Sequence, residues 1–531
     1  MEKCFNTAGI CYPEEHYMVN LDSRLQKIVQ MVDKGQYFTI NRGRQYGKTT
    51  MMNLLAEKLS GHYSVFSISF EGTGDELCRS EEVFCQTFLG LLNDALCYEG
   101  VEGISEAVRG ECRELSEEIP QGYSMMKLSG FISRLCGEAD RPVVLMVDEV
   151  DQAGNHGIFI TFLGLLRKKF LARKKQPTFQ SVILAGVYDV RNLKLRIWQD
   201  SEHQYNSPWN IAANLALDMS FSAEDIAGML AEYEGNHHVG MDIPLIAGLL
   251  HDYTSGYPFL VSRLCELMDM VVPGKEGFPD RCSAWTKNGV TEAVKELLAE
   301  SNPLFDDMVK KLEDFPELKR TFYAILFRGE KFVFNTDNRV LGIGKMFGMI
   351  KSRDGAVAIA NRIFETRLYN LFLSEEMLNS TICRAAEEDR NRFVRDGHLD
   401  MELVLERFVE SFTDIYSDAQ ESFLEENGRR FFLLYLKPII NGAGNYYVEA
   451  RTRDMRRTDI IIDYRGEQYV CEMKIWRGNE YNSRGERQLI GYLDDYHLTK
   501  GYMVSFNFSK NKKTGVQKLL MDGRTIVEAV V

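Results

Sequence analysis

The sequence predicts an α/β protein in three parts: a parallel sheet interleaved with helices, a helical, winged-helix-like middle, and a smaller α/β domain at the C-terminus. Three observations carry this. Short, continuously apolar runs alternate with helix-patterned text over about residues 30–200, the character of strands buried on both faces of a parallel sheet. From about Ser222 to Arg430 strand signals become rare and amphipathic helical text dominates. The last hundred residues return to strands. The expected domains are 1–220, a helical lid at 221–290, the helical, winged-helix-like region at 291–415, and a C-terminal domain at 416–531.

The elements follow in order. Tyr37–Asn41 (YFTIN) is a short β-prone run, and Thr50–Leu59 (TMMNLLAEKL) has helical periodicity. Tyr63–Phe70 reads as a second strand, and Val143–Val147 (VVLMV) and Val182–Ala185 (VILA) as buried parallel ones. Ile158–Ala172 is helical between the last two. Ala223–Glu234 and Pro258–Val271 begin the helical region, where Lys331–Asn335 and Val357–Ile359 flank apolar helical text. Tyr446–Ala450, Asp459–Tyr464, Gln468–Lys474 and Gly501–Phe506 read as strands, with a helix from about Arg484 to Tyr496.

Composition narrows the function classes. At 531 residues the chain exceeds a single core. Hydrophobic residues at 45% and charged residues at 26% exclude wholesale disorder. A net charge of −14 argues against a surface that coats nucleic acid or anionic membrane throughout. The first twenty residues lack the basic start and apolar run of a secretory signal, and no uncharged apolar run is long enough to span a bilayer. Eleven scattered cysteines without a CxxC pair read as reduced thiols, so the expected location is cytoplasmic.

Asn41-Arg-Gly-Arg-Gln-Tyr-Gly-Lys-Thr-Thr50 ends a strand and opens a helix. A nucleoside triphosphate needs closely approaching backbone N–H groups, a positive helix end and a lysine reaching the β- and γ-oxygens. Gly43, Gly47, Lys48, Thr49 and Thr50 are the candidates, with the Thr49 hydroxyl placed to ligate Mg²⁺. Arg42 stands where the GxxxxGK[ST] pattern has its first glycine. The VVLMV strand runs into Asp148-Glu149. An aspartate there would hold a Mg²⁺-bound water, and the adjacent glutamate would polarise the attacking water. Arg44, Arg191 and Arg196 are candidate cations for the transition-state charge, Asn192 a candidate sensor, and Thr254-Ser-Gly-Tyr-Pro258 with Arg263 a candidate lid element.

With these residues in view, FNTAGICYPEEHYMVNLDSRL, YFTINRGRQYGKTT, VDEVD and SPWNIA, in that order over about residues 5–270, resemble the bacterial AAA-ATPase-like family. The resemblance implies a P-loop ATPase of the wider AAA+ and signal-transducing group, with ATP and Mg²⁺ as cofactors. It also implies tolerance of a non-glycine residue at Arg42 and places His16-Tyr-Met18 in the family's N-terminal leader. Some of these relatives form rings and others stay monomeric until activated, so a homo-oligomer is left open.

The C-terminal strands carry Asp459 and then Glu472-x-Lys474. Residues two apart on a strand share a face. With an aspartate entering from the neighbouring strand, two carboxylates and a lysine would surround a Mg²⁺ ion, a set suited to phosphodiester hydrolysis. Gln488 and Tyr492 share one helix face. Glu317-x-Lys319, in helix-patterned text, has the same spacing and is given no role. Residues 420–525 resemble the PD-(D/E)xK nuclease superfamily, whose fold is restriction-endonuclease-like. By that resemblance Asp459 and Glu472 are metal carboxylates, Lys474 is the active-site lysine, and Gln488 and Tyr492 form the QxxxY helix. Thr458 replaces the nominal proline, and Glu449 and Glu426 are supporting candidates.

Charge is divided along the chain. Residues 431–531 hold 16 Lys and Arg against 12 Asp and Glu, while the first 430 hold 47 against 65. Arg451, Arg453, Arg456, Arg457, Lys510, Lys512 and Lys513 form a basic patch suited to a phosphate backbone. The leading expectation is an ATPase coupled to a Mg²⁺-dependent nuclease that acts on nucleic acid, DNA ahead of RNA, in processing or in defence against foreign DNA, with no membrane partner. The rival is a nucleotide-dependent switch or scaffold that binds nucleic acid or protein without cutting. A third reading, DNA binding through the winged-helix-like middle, needs a basic recognition helix near Asn361–Tyr369.

Overall fold

The computed structural model describes residues 2–153, 157–187, 209–213, 215, 217–328, 330–377, 392–415, 425–440, 444–451, 457–476, 479–495, 498–509 and 512–531. At 75, 377, 414–415, 425–426, 449–451, 457–459, 479–484 and 495 only the backbone is described. The chain forms two compact units, Met1–His238 with Gly256–Glu266 and Met346–Gly348, and Val239–Ser255 with Leu267–Lys345 and Met349–Val531.

The first unit is built on four strands, β1 (Phe38–Asn41), β2 (Ser64–Ser69), β3 (Val143–Asp148) and β4 (Ser181–Gly186), in the order β1-β4-β3-β2 and all parallel. Every residue of β3 and β4 is buried because both faces are covered. Val144 and Met146 join a core with Leu25, Ile28, Met51 and Leu55 of α1 (Asp22–Asp33) and α2 (Lys48–Ser60). Val143, Leu145 and Val147 point the other way, into a core with α3 (Glu81–Tyr98), α4 (Glu106–Glu117), α5 (Met125–Glu138) and α6 (Gly157–Ala172). The period of two along each strand delivers alternate residues to the two cores. Helices α3 and α4 start where Ser80 and Ser105 accept the amides of Val83 and Val108, which satisfies otherwise orphaned N–H groups. These α3–α5 helices fill a stretch read from sequence as helix-patterned, without bounds. Helix α7 (Ala223–His237) starts with a full capping box between Ser222 and Asp225.

In the second unit α8 (Ile243–Thr254) is followed, after the crossing helix α9 (Pro258–Met270), by α10 (Lys287–Ala299), α11 (Pro303–Asp314), α12 (Pro316–Arg328) and α13 (Arg339–Met346). A hairpin of β5 (Ile350–Arg353) and β6 (Ala356–Ile359) comes next, then α14 (Arg362–Met377). Lys331–Asn335, which flanks the helical text, carries a single bridge between Val333 and Ala356. Beyond a two-residue-stranded hairpin, β7 (Val394–Arg395) and β8 (His398–Leu399), lie α15 (Met401–Ile415) and α16 (Glu425–Ile440).

The unit ends in a mixed six-stranded sheet, β13-β14-β12-β11-β10-β9. β9 (Gly444–Arg451), β10 (Arg457–Tyr464) and β11 (Glu467–Ile475) form an antiparallel meander. Helix α17 (Asn479–Asp495) then crosses over so that β12 (Lys500–Phe506) runs parallel to β11. β14 (Arg524–Val530) lies parallel to β12 and pairs antiparallel with β13 (Gly515–Met521). The sequence reading missed β13 and β14, yet the signal was present. Asp522-Gly523, like Asp354-Gly355, Asp396-Gly397 and Arg465-Gly466, is a two-residue turn with both φ positive. That turn matches the right-handed twist of paired strands and favours glycine at its second position.

Candidate functional site

The phosphate loop lies between β1 and α2. Gly47, immediately before the helix, is left-handed at φ 75°, and Gln45 at φ 55°. The amides that open α2 are therefore aimed into the loop at a helix N-terminus, where an anion is stabilised. Arg42 does not disturb this, because its guanidinium turns back to the carbonyls of Asn41 and Leu217. Gly43 is the residue without room. A Cβ there would stand 2.9 Å from the Phe347 carbonyl oxygen. Tyr257 closes the other side, its hydroxyl donating to the Arg44 carbonyl at 2.5 Å and its ring meeting Tyr46 edge-on at 4.5 Å. Sequence reasoning did not find Tyr46 or Phe347, since packing between distant segments leaves no local pattern.

Lys48 is 5% exposed and donates to the carbonyls of Gly43 (3.2 Å) and Arg42 (3.3 Å), so it lies over the loop it belongs to. The Thr49 hydroxyl donates to Asp148 Oδ2 at 2.8 Å. This bond joins the loop to the end of β3, ninety-nine residues away in sequence. Asp148 Oδ1 accepts the Glu149 amide at 2.8 Å, and Glu149 is held left-handed at φ 51°. Burial pushes the Glu149 carboxyl above its usual range, and the Lys48 charge opposes that shift. Asp151 accepts the Val187 amide at 2.7 Å beside Gly186, which has no space for a side chain. Thr50, expected to touch nucleotide, instead uses its hydroxyl to accept the amide of Cys11 in the N-terminal leader at 3.1 Å. Arg263 is ion-paired to Glu266 at 2.6 Å. Asp189, Arg191, Asn192 and Arg196 lie outside the described residues.

Residues 13–270 match the AAA-like domain family. This stretch is a P-loop ATPase domain. The AAA-like domain implies ATP binding. About two thirds of the chain is also similar to solved structures. The Walker-type ATPase of Pyrococcus abyssi has 13% identity and a TM-score of 0.48, over 68% of this chain and 99% of that one. The Aeropyrum pernix ORC2 protein has 12% identity and a TM-score of 0.37, over 67% and 93%. Thermotoga maritima RuvB has 10% identity and a TM-score of 0.32, over 64% and 92%. No curated protein matches the chain.

The second candidate cluster lies on the mixed sheet. Glu472 is 0% exposed, and its Oε1 is 3.0 Å from the Lys474 ammonium. Asp459 precedes Ile460, the register partner of Cys471, which Glu472 follows. The side chain of Asp459 lies outside the described residues, as do those of Glu426 and Glu449. Helix α17 covers this face. A Cβ on Gly485 would meet the Lys474 stem at 3.2 Å, and Leu489 and Leu493 pack at Gly501. One and two turns on, Gln488 donates to the Tyr492 hydroxyl at 2.7 Å, so both expected helix residues share the face that carries Gly485. Arg453, Arg456 and Lys510 fall outside the described residues, and of Arg451 and Arg457 only the backbone is described.

Among the described residues, no group of three or more His, Cys, Asp or Glu side chains is arranged to hold a metal ion. Magnesium bound with nucleotide or phosphodiester needs only one or two protein oxygens, the rest being water and phosphate. Thr49 and Asp148 supply such oxygens at the loop. No described helix is long and apolar enough to cross a membrane. On α14, Arg362 is paired with Asp252 and Arg367 donates to the Leu298 carbonyl. Those arginines are engaged within the unit rather than presented as a recognition helix.

Proposed function

We propose that the chain binds and hydrolyses ATP through its AAA-like domain and cleaves nucleic acid phosphodiesters, DNA ahead of RNA, through a restriction-endonuclease-like C-terminal domain. The domain boundaries we adopt are 1–220, 221–290, 291–415 and 416–531. In the ATPase half, Gly43, Gly47 and the α2 amides cradle the phosphates, Lys48 leaves its loop carbonyls for phosphate oxygens, and Glu149 orients the attacking water. Magnesium held by Thr49 and Asp148 would offset the phosphate charge. Burial that raises the Glu149 carboxyl makes it a better proton acceptor than a solvated glutamate.

The observation that carries the nuclease half is the Glu472–Lys474 ion pair, its carboxylate fully buried and its lysine half-buried, beneath a helix that brings Gln488 and Tyr492 to the same face. A buried ion pair of this kind is a poor way to hold strands together, since apolar side chains do so without desolvating two charges. With Asp459 from β10, Glu472 would hold a magnesium ion that activates water at the scissile phosphate. Lys474 then faces the charge that develops on the phosphoryl oxygens. The switch reading would need the same face to bind without cutting, and nothing in the Glu472–Lys474 geometry favours it.

Paired variants separate the two halves. Lys48→Ala is expected to abolish ATP turnover, measured as phosphate release. Lys474→Ala is expected to abolish cleavage and to leave nucleotide binding, measured by calorimetry, unchanged. Equal cleavage by Lys474→Ala and the wild-type chain removes the nuclease half of the proposal and leaves the ATPase half standing.

A further inference from the structure

The face that carries Lys474 also holds a second buried polar set, which the proposed reaction does not yet use. Lys474 pairs in register with Ser505 on β12, Met503 pairs with both Glu472 and Glu528, and Gln517 on β13 pairs with Glu528. Register partners on neighbouring strands point to the same side of a sheet. Lys474, Ser505, Glu528 and Gln517 therefore lie side by side across four strands, on the face that α17 covers at Lys474, with Gln517 exposed at its far side. Burial and then the charge of Glu528 raise the carboxyl of Glu486 on that helix.

Ser505 is 0% exposed and Glu528 2% exposed. The Ser505 hydroxyl donates to Glu528 Oε1 at 2.5 Å, and Gln517 Nε2 donates to Oε2 at 2.7 Å. Both oxygens of this carboxylate are thus fixed from different strands. Holding the strands alone does not account for the set. Burying a carboxylate and a hydroxyl is costly against apolar side chains of similar size, even when each is bonded.

We propose that Ser505 and Glu528 are positioning residues for Lys474, an inference that rests on the nuclease reading above. A serine hydroxyl has one proton, and here it is committed to Glu528. What Ser505 presents to its register partner is therefore an acceptor of fixed direction. A lysine ammonium only donates, so acceptor and donor match. The ammonium is held between Glu472 Oε1 on its own strand and Ser505 Oγ on the next. Gln517 keeps the carboxylate, and through it the serine, from turning.

The test uses the full chain with Mg²⁺ and a nucleic acid that the wild type cuts. Ser505→Val and Ser505→Thr have nearly equal volume, and only threonine keeps the hydroxyl. Ser505→Val is expected to lower kcat roughly tenfold to a hundredfold with KM within about twofold, the scale of a misplaced catalytic group. Ser505→Thr is expected to recover most of that loss, and Glu528→Gln to resemble Ser505→Val. Should valine not fold, Ser505→Ala, which only removes atoms, takes its place. Equal kcat in the valine and threonine variants, or a change confined to the unfolding transition, overturns the positioning role while the nuclease reading stands. A wild-type chain that cuts no better than Lys474→Ala overturns both.

Discussion

Gly485→Ala separates stability from chemistry at the candidate nuclease site. Glycine inside a helix is disfavoured, so alanine at this point of α17 favours folding by about 1 kcal/mol. The added methyl stands 3.2 Å from Lys474 Cγ, 3.5 Å from Cε and 3.6 Å from Met503 Sδ. Carbon atoms in contact prefer about 3.5–4.0 Å, so the lysine stem must yield by a few tenths of an ångström. A flexible four-carbon stem allows this at small cost, and the Glu472–Lys474 separation of 3.0 Å leaves room for the pair to survive the shift. The expected result is stability unchanged or raised by up to about 1 kcal/mol. A misplacement of about 1 Å costs roughly a hundredfold, so a shift of a few tenths should lower kcat for cleavage roughly threefold. Chemical denaturation of the intact chain and steady-state cleavage read the two quantities. Undiminished cleavage with intact stability would refute the claim that the position of Lys474 governs the chemistry. A loss of more than about 2 kcal/mol would refute the claim that the stem absorbs the strain.

Two further outcomes follow from the geometry. Gly43→Ala sets a methyl 2.9 Å from a backbone carbonyl that cannot swing aside, so it should cost about 1–3 kcal/mol and weaken ATP binding at least tenfold by calorimetry; unchanged affinity means that Phe347 is not seated on the loop. Burial, and then the charge of Glu292, push the Asp463 carboxyl up to about 6. Its charged form is disfavoured in the folded protein, so its stabilising contribution is complete below about pH 4 and lost as pH rises through about 6. Asp463→Asn should flatten that stretch of the stability–pH profile and raise stability at pH 7 by on the order of 2 kcal/mol; an unaltered profile rejects the assignment.

The phosphate loop was legible in the sequence because its chemistry is local. Asn41 to Thr50 holds the turn, the lysine and the hydroxyls in one run, and Asp148 announces itself as a charge ending a buried apolar strand. The departure at Arg42 made sense only in three dimensions, where the Leu217 carbonyl draws the guanidinium away. Thr50 carries no mark in sequence to say that its hydroxyl serves Cys11 and the leader. On the mixed sheet, the two-residue spacing of Glu472 and Lys474 was readable, but the Ser505–Glu528–Gln517 set was not. Those residues meet only through the pairing of β12, β13 and β14, two of which went unread although Asp522-Gly523 marks the turn between them.

The account depends most on whether the Glu472–Lys474 face cuts phosphodiesters. The direct measurement is cleavage of single- and double-stranded DNA and RNA by the purified full chain with Mg²⁺, with and without ATP, beside Lys474→Ala at matched stability. The account predicts cleavage of at least one substrate by the wild-type chain, altered by ATP and absent in Lys474→Ala. Cleavage that survives in Lys474→Ala, or none from the wild-type chain under any of these conditions, contradicts it.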